Sequence, residues 1–203
     1  MKIKKSILAT LLFIVLLFVI YYIHIRFIDV NVVFYAAIFD GLIAAALTAI
    51  ILIFLPYFKL FTGFEKTLLV TIWILGSYMY AISVPTVLDR SLSFYILQKI
   101  HERGGGIKES GFKKVFTEEY VKEHRLVDVR LTEQLQSGTI TIDNQGCVKL
   151  TPRGEKLAIY SLWFRKNLLP RKRLLMGEYT DALTDPFKYG GVDKNTTFDY
   201  ICK

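Results

Sequence analysis

The stretch SILATLLFIVLLFVIYYIHI, residues 6–25, runs for twenty residues without a formal charge. Two more follow: GLIAAALTAIILIFLPYF at 41–58 and TLLVTIWILGSYMYAISVPTVL at 67–88. A bilayer core about 30 Å thick needs roughly twenty apolar helical residues, so each segment is long enough to span. A backbone in lipid must satisfy its own hydrogen bonds, which makes helix the expected state of all three. The expected fold class is therefore an α-helical membrane protein. Residues 1–88 form its transmembrane region, with spans at about 6–25, 41–58 and 67–88.

Outward from these segments the chain changes character. Lys2, Lys4 and Lys5 precede the first one, as in the n-region of a signal peptide. The apolar run is too long for an h-region and lacks a small-x-small cleavage site, so it reads as an uncleaved anchor. The same lysines favour a cytoplasmic N-terminus, which with three spans puts the C-terminal domain outside the cell (inner) membrane. Arg90, Lys99 and Arg103 after the third span argue the other way. Cys147 and Cys202 are too few and too widely separated for a disulfide framework or metal site and indicate no compartment. An Asn195-Thr196-Thr197 sequon is present.

Within the apolar region Asp40 is a functional candidate, because an ionised carboxylate at mid-bilayer costs about 2.5–3.5 kcal/mol on insertion scales. If the second span starts at Gly41, Asp40 marks the headgroup boundary instead. Pro85 should end or kink the third helix, with Asp89 and Arg90 at the water boundary. Those two residues, with Asp40, are the polar candidates of the membrane region. Asp89-Arg90 could hold a lipid phosphate or simply cap the helix.

From Ser91 to Pro170 the pattern is that of a small α+β domain. Leu92, Tyr95, Ile96 and Ile100 recur at helical spacing until Gly104-Gly105-Gly106 stops them. Ser110 is placed to cap a second helical stretch, with Phe112, Val115 and Phe116 inward. A third helix is predicted over about 125–136 with Val127, Leu131 and Leu135 on one face. Ile140, Ile142, Val148 and Leu150 alternate about the turn Asp143-Asn144-Gln145-Gly146, which predicts a hairpin. Thr151-Pro152 opens a last helix, threonine as N-cap and proline at the first turn. Leu157, Ala158, Ser161, Phe164 and Leu168 form its inner face. Residues 171–203 read as a basic segment and an extended tail whose aromatics, including Tyr179 and Phe198, suit docking.

Three helices, a hairpin and a closing helix, with Leu131-Thr-Glu-Gln-Leu-Gln-Ser-Gly-Thr-Ile and Leu150-Thr-Pro-Arg-Gly-Glu-Lys-Leu, resemble a winged helix-turn-helix, the second motif matching the wing exit of MarR- and PadR-like domains. The resemblance covers residues 91–168 and implies a fold more than a function, since winged helices also serve as protein-contact modules. Charge argues against nucleic acid. The third helix presents Asp128 and Glu133, the turn carries Asp143, and residues 89–153 hold eleven Lys/Arg against nine Asp/Glu. The positive surplus lies in Arg165, Lys166, Arg171, Lys172 and Arg173, interleaved with leucines as in a segment against anionic lipid or a partner.

No catalytic residues, metal ligands or cofactor are assigned. His24, His101 and His124 share no ligand spacing, and Gly104–Gly106 lacks the Lys-Ser/Thr of a phosphate loop. The reading that follows is a non-catalytic integral membrane accessory subunit. Its partners are membrane lipids and a larger membrane protein, such as an envelope glycan, lipid or transport enzyme. The alternative is a membrane-tethered winged-helix transcription regulator, with headgroup chemistry at Asp40 and Asp89 a third possibility.

Overall fold

A computed structural model describes residues 2–184 and Cys202. The Asn195 sequon and the tail aromatics beyond residue 184 lie outside the described residues. Packing divides the chain into two units, Met1–Val129 and Arg130–Lys203. The expected winged-helix region, 91–170, is thus distributed over both.

Unit one begins with three helices long and apolar enough to cross a membrane: α1 (Lys2–Phe27), α2 (Val33–Phe54) and a third running Gly63–Arg90. The last consists of α3 (Gly63–Ala81), a π turn (Ile82–Thr86) and α4 (Val87–Arg90). Pro85 sits inside the π turn, where the wider backbone turn accommodates the missing N–H and bulky ring. It therefore neither ends the helix nor marks its boundary. Ser91 closes it and caps the next helix, accepting from Phe94 N–H at 3.4 Å.

Helix α2 packs against both α1 and α3 and is the centre of the bundle. Its buried residues are Ala37, Asp40, Gly41, Ala44, Ala45, Thr48 and Leu52, a stripe of mostly small side chains at three- and four-residue spacing. Such stripes let helix backbones approach closely where no hydrophobic effect drives association. A Cβ built on Gly41 would stand 2.4 Å from Ser77 Cβ on α3, so only glycine fits there. Ala9, Phe13 and Leu17 face inward from α1, and Trp73, Ser77 and Ala81 from α3. The Phe13 and Trp73 rings stack at 5.6 Å, and Trp73 Nε1 donates to Thr10 Oγ1 at 3.2 Å.

The ends of the bundle carry different chemistry. Lys2 pairs with Glu65 at 2.8 Å, and Lys5 Nζ donates to the Tyr57 carbonyl at 2.5 Å and lies over the Tyr57 ring. Thr62 and Glu65 form a reciprocal cap at the start of α3. The N-terminal lysines, Lys59 in the loop and Lys66 in the first turn of α3 therefore share one end.

Beyond Ser91, α5 (Leu92–Glu102) ends at Gly104-Gly105, whose N–H groups bond to the carbonyls of His101 and Ile100. Next comes an irregular helical segment, α6 (Phe112–Lys114), a π turn (Val115–Tyr120) and α7 (Val121–Glu123). Ser110 does not cap it. The N-cap position is Gly111, preceded by a 3-10 turn at Glu109–Gly111. Tyr95, Val115 and Tyr120 form a small core with Phe116 and Leu126 against it.

Helix α8 (Leu126–Gln136) leads into unit two, where β1 (Ile140–Ile142) and β2 (Val148–Leu150) pair antiparallel with Ile140 opposite Leu150. Asp143 shapes the turn, its Oδ1 accepting from the backbone N–H of Gln145 and Cys147. Thr151 caps α9 (Pro152–Leu168), accepting from Gly154 N–H at 3.1 Å.

Two expectations need correction here. The predicted inner faces of α8 and α9 are not buried: Val127, Leu135, Leu157, Phe164 and Leu168 are exposed, and α9 buries only Gly154. The tail is not simply extended either. β3 (Arg173–Leu175) and β4 (Glu178–Thr180) form a second hairpin, with Met176 and Gly177 both at positive φ in its two-residue turn.

Candidate functional site

The most constrained polar group of the described residues is Asp40. Helix α2 starts at Val33, eight residues before the expected boundary at Gly41, and takes Asp40 inside its second turn. Its side chain is 1% exposed. His24, near the end of α1, is hydrogen-bonded through Nδ1 to Asp40 Oδ1 at 2.6 Å, its own side chain 18% exposed. Asp40 Oδ2 is buried without a hydrogen-bond partner among the described residues. Tyr21 and Tyr80, in edge contact at 5.8 Å, lie within electrostatic reach of Asp40. Asp89 reaches Tyr21 in turn.

The sequence singled out Asp40 but not its partner. The signal was present: a histidine near the end of one apolar helix and a carboxylate early in the next, joined by a short loop. Antiparallel packing sets such residues at similar depth. Asp89 and Arg90 do not join the pair directly. They face each other across 3.9 Å, and Asp89 remains exposed.

A second charged cluster belongs to the α5–α7 region. Lys99, 3% exposed, is held by Glu123 at 2.7 Å, Glu102 at 2.9 Å and Glu119 at 3.0 Å. Arg103 also pairs with Glu119, and Tyr95 donates its hydroxyl to Glu123 at 2.8 Å. Bonding to Glu123, then to Glu102, raises Lys99, and Lys99 in return lowers Glu119 and Glu123. Burial, then the bond to Glu123, pushes the Tyr95 hydroxyl up to about 12. With every acid answered by a base, the cluster is built to fasten α5 to its neighbours rather than to exchange protons near neutrality.

In unit two the basic residues border an aromatic surface. Tyr160 stacks near Trp163 at 6.0 Å and contacts Phe164 at 6.0 Å, and an open groove is lined by Leu157, Tyr160, Ser161, Phe164, Arg165 and Leu169. Arg165 Nη1 donates to the Leu183 carbonyl, and the Arg171 carbonyl accepts from Thr184. Arg173 lies in β3, while Lys166 and Lys172 are exposed. Unlike the sequence expectation, Cys147 and Cys202 are paired, with a disulfide linking residues 55 apart in sequence and 6.0 Å apart at Cα.

Among the described residues no three His, Cys, Asp or Glu side chains are arranged to hold a metal ion. The chain is a mostly helical protein with three candidate membrane-spanning helices, followed by a small region with two antiparallel hairpins. No protein-family model matches it, and comparisons with curated proteins and with solved structures yield no match.

Proposed function

We propose that this chain is a non-catalytic multi-pass accessory subunit of the cell membrane, whose C-terminal winged-helix-like region lies outside the cytoplasm and contacts a larger membrane protein of envelope glycan, lipid or transport metabolism. The observation that carries the reading is the surface of α9. Leu157, Ile159, Tyr160, Trp163 and Leu168 are all exposed on one helix of a region with little core of its own. Contiguous apolar surface on an extramembrane region marks an interaction site, and aromatic residues are the usual anchors of such contacts.

Two features support the orientation. Lys2, Lys4, Lys5, Lys59 and Lys66 gather at one end of the bundle, where the positive-inside rule puts the cytoplasm. The Cys147–Cys202 disulfide suits an oxidising compartment for the other end. The same bond weighs against a cytoplasmic transcription regulator. So does α8, whose Arg130 is paired with Glu133 and whose Asp128 is paired with Arg125.

The test has two arms. A C-terminal reporter active only outside the cytoplasm should be active, and purification in mild detergent should recover a stoichiometric membrane partner that Trp163→Asp releases. A cytoplasmic C-terminus, or recovery as a lone species with its own turnover, overturns the reading.

A further inference from the structure

The geometry points to His24 and Asp40 as a proton-binding site enclosed within the helical bundle, with the proton itself as ligand. Asp40 Oδ1 is taken by the imidazole, and Oδ2 is buried with no hydrogen-bond partner among the described residues. The third helix closes over the site. Gly41, next in sequence, packs so tightly on Ser77 that a Cβ would not fit, and the Ser77 hydroxyl is committed to the Trp73 carbonyl at 2.9 Å. A sodium or calcium ion needs several oxygen ligands around it. One carboxylate oxygen beside an occupied imidazole nitrogen does not provide them, whereas a proton needs one lone pair.

The groups facing the pair come from each helix packed around it. Tyr21 on α1 and Tyr80 on α3 lie within electrostatic reach of Asp40, Ser77 on α3 packs on the adjacent Gly41, and Asp89 beyond the π turn reaches Tyr21 rather than the pair, with Arg26 and Arg90 at the same end of the bundle. With one proton between them the two side chains are net neutral, as imidazolium and carboxylate or as imidazole and carboxylic acid. Loss of that proton leaves a net negative charge in the bundle, and gain of a second leaves a net positive one. Either is disfavoured in a lipid-embedded site, so the singly protonated pair is the form that best holds α1 to α2.

Position adds direction. Asp40 lies seven residues into α2, about 10 Å from its start, and His24 three residues from the end of α1, about 5 Å, at 1.5 Å per residue. The site is therefore nearest the end from which the chain leaves at Ser91, and it exchanges protons with that side. A change of acidity there alters the joint between α1 and α2. This inference rests on the three helices spanning a membrane and not on any partner, and its test uses the lone chain, so its failure leaves the partner-binding reading standing.

The experiment takes the full chain in lipid nanodiscs from about pH 4 to pH 9, covering ordinary carboxylate and histidine titration. Infrared difference spectra should show a protonated-carboxyl signal that Asp40→Asn removes and whose pH course His24→Gln changes. The melting temperature should pass through a maximum with pH that flattens in the double variant. Histidine-labelled nitrogen NMR of the unaltered chain reads the same titration should either variant fail to fold. No Asp40-dependent carboxyl signal together with a pH-invariant His24 resonance overturns the proposal. A signal that moves with sodium at constant pH also overturns it, in favour of a metal cation.

Discussion

The two tryptophans of this chain occupy opposite physical situations. Trp73 is 1% exposed, stacked on Phe13 and bonded to Thr10 in the centre of the helical bundle. Trp163 is 51% exposed on α9, its ring stacked with that of its own helical neighbour Tyr160. The bundle has an interior because α2 supplies a stripe of small residues into which the larger side chains of α1 and α3 fit. Unit two has hairpins, a capped helix and a disulfide, yet α9 leaves its apolar residues uncovered. One region is held together by its own packing, whereas the other is shaped locally and presents its apolar surface outward.

That contrast can be broken most sharply at its buried end. Trp73→Ala should cost about 3–5 kcal/mol of stability, the usual loss for a buried tryptophan, read as a lower unfolding midpoint in detergent. Cys202→Ser tests how far unit two depends on its cross-link. Opening a loop of 55 residues should cost about 2–4 kcal/mol and should lower the melting temperature of unit two but not that of the bundle, as followed by hydrogen exchange. Gly41→Leu should cost about 1–3 kcal/mol, because the side chain must force α2 from Ser77. Its sign would show that the close approach, and not apolarity, holds these helices.

A smaller effect concerns acidity in the Lys99 cluster. Glu119 and Glu123 are held below their ordinary value of 4.5 in the fold, chiefly by Lys99. Their contribution is thus complete above pH 4.5 and is lost as pH falls below it. Near-ultraviolet circular dichroism of the Tyr95–Tyr120 contact should weaken in that range, and Lys99→Met should remove the transition. The smallest change in folding belongs to Trp163→Ala, within about 0.5 kcal/mol, as for other exposed positions. The same substitution should lower partner recovery severalfold. A large loss of stability there would show that α9 is a core helix after all.

The positions of the apolar helices were legible because lipid imposes length and hydrogen bonding on any sequence that crosses it. Local punctuation was legible for similar reasons: Gly104-Gly105 ending α5, Thr151-Pro152 opening α9, and the Asp143–Gly146 turn act through backbone geometry a few residues away. Ser110 failed as a cap because a 3-10 turn through Gly111 shifted the helix start past it. The second hairpin was missed because Met176-Gly177 is a weaker turn signal than Asn-Gly, and its strands are only three residues each.

By itself the sequence determined three apolar helices, the order of the elements that follow them, and Asp40 as the costly charge among them. These are properties of short range, set by hydrogen bonds along one helix or by the solvent each residue prefers. Tertiary structure alone decided that Asp40 meets His24 across a hairpin of helices, that Lys99 is enclosed by three glutamates, that Cys147 finds Cys202, and that α9 keeps its apolar residues exposed. Each of these depends on which surfaces come together in space. Periodicity tells a helix which side is apolar, but it does not tell that side what will cover it.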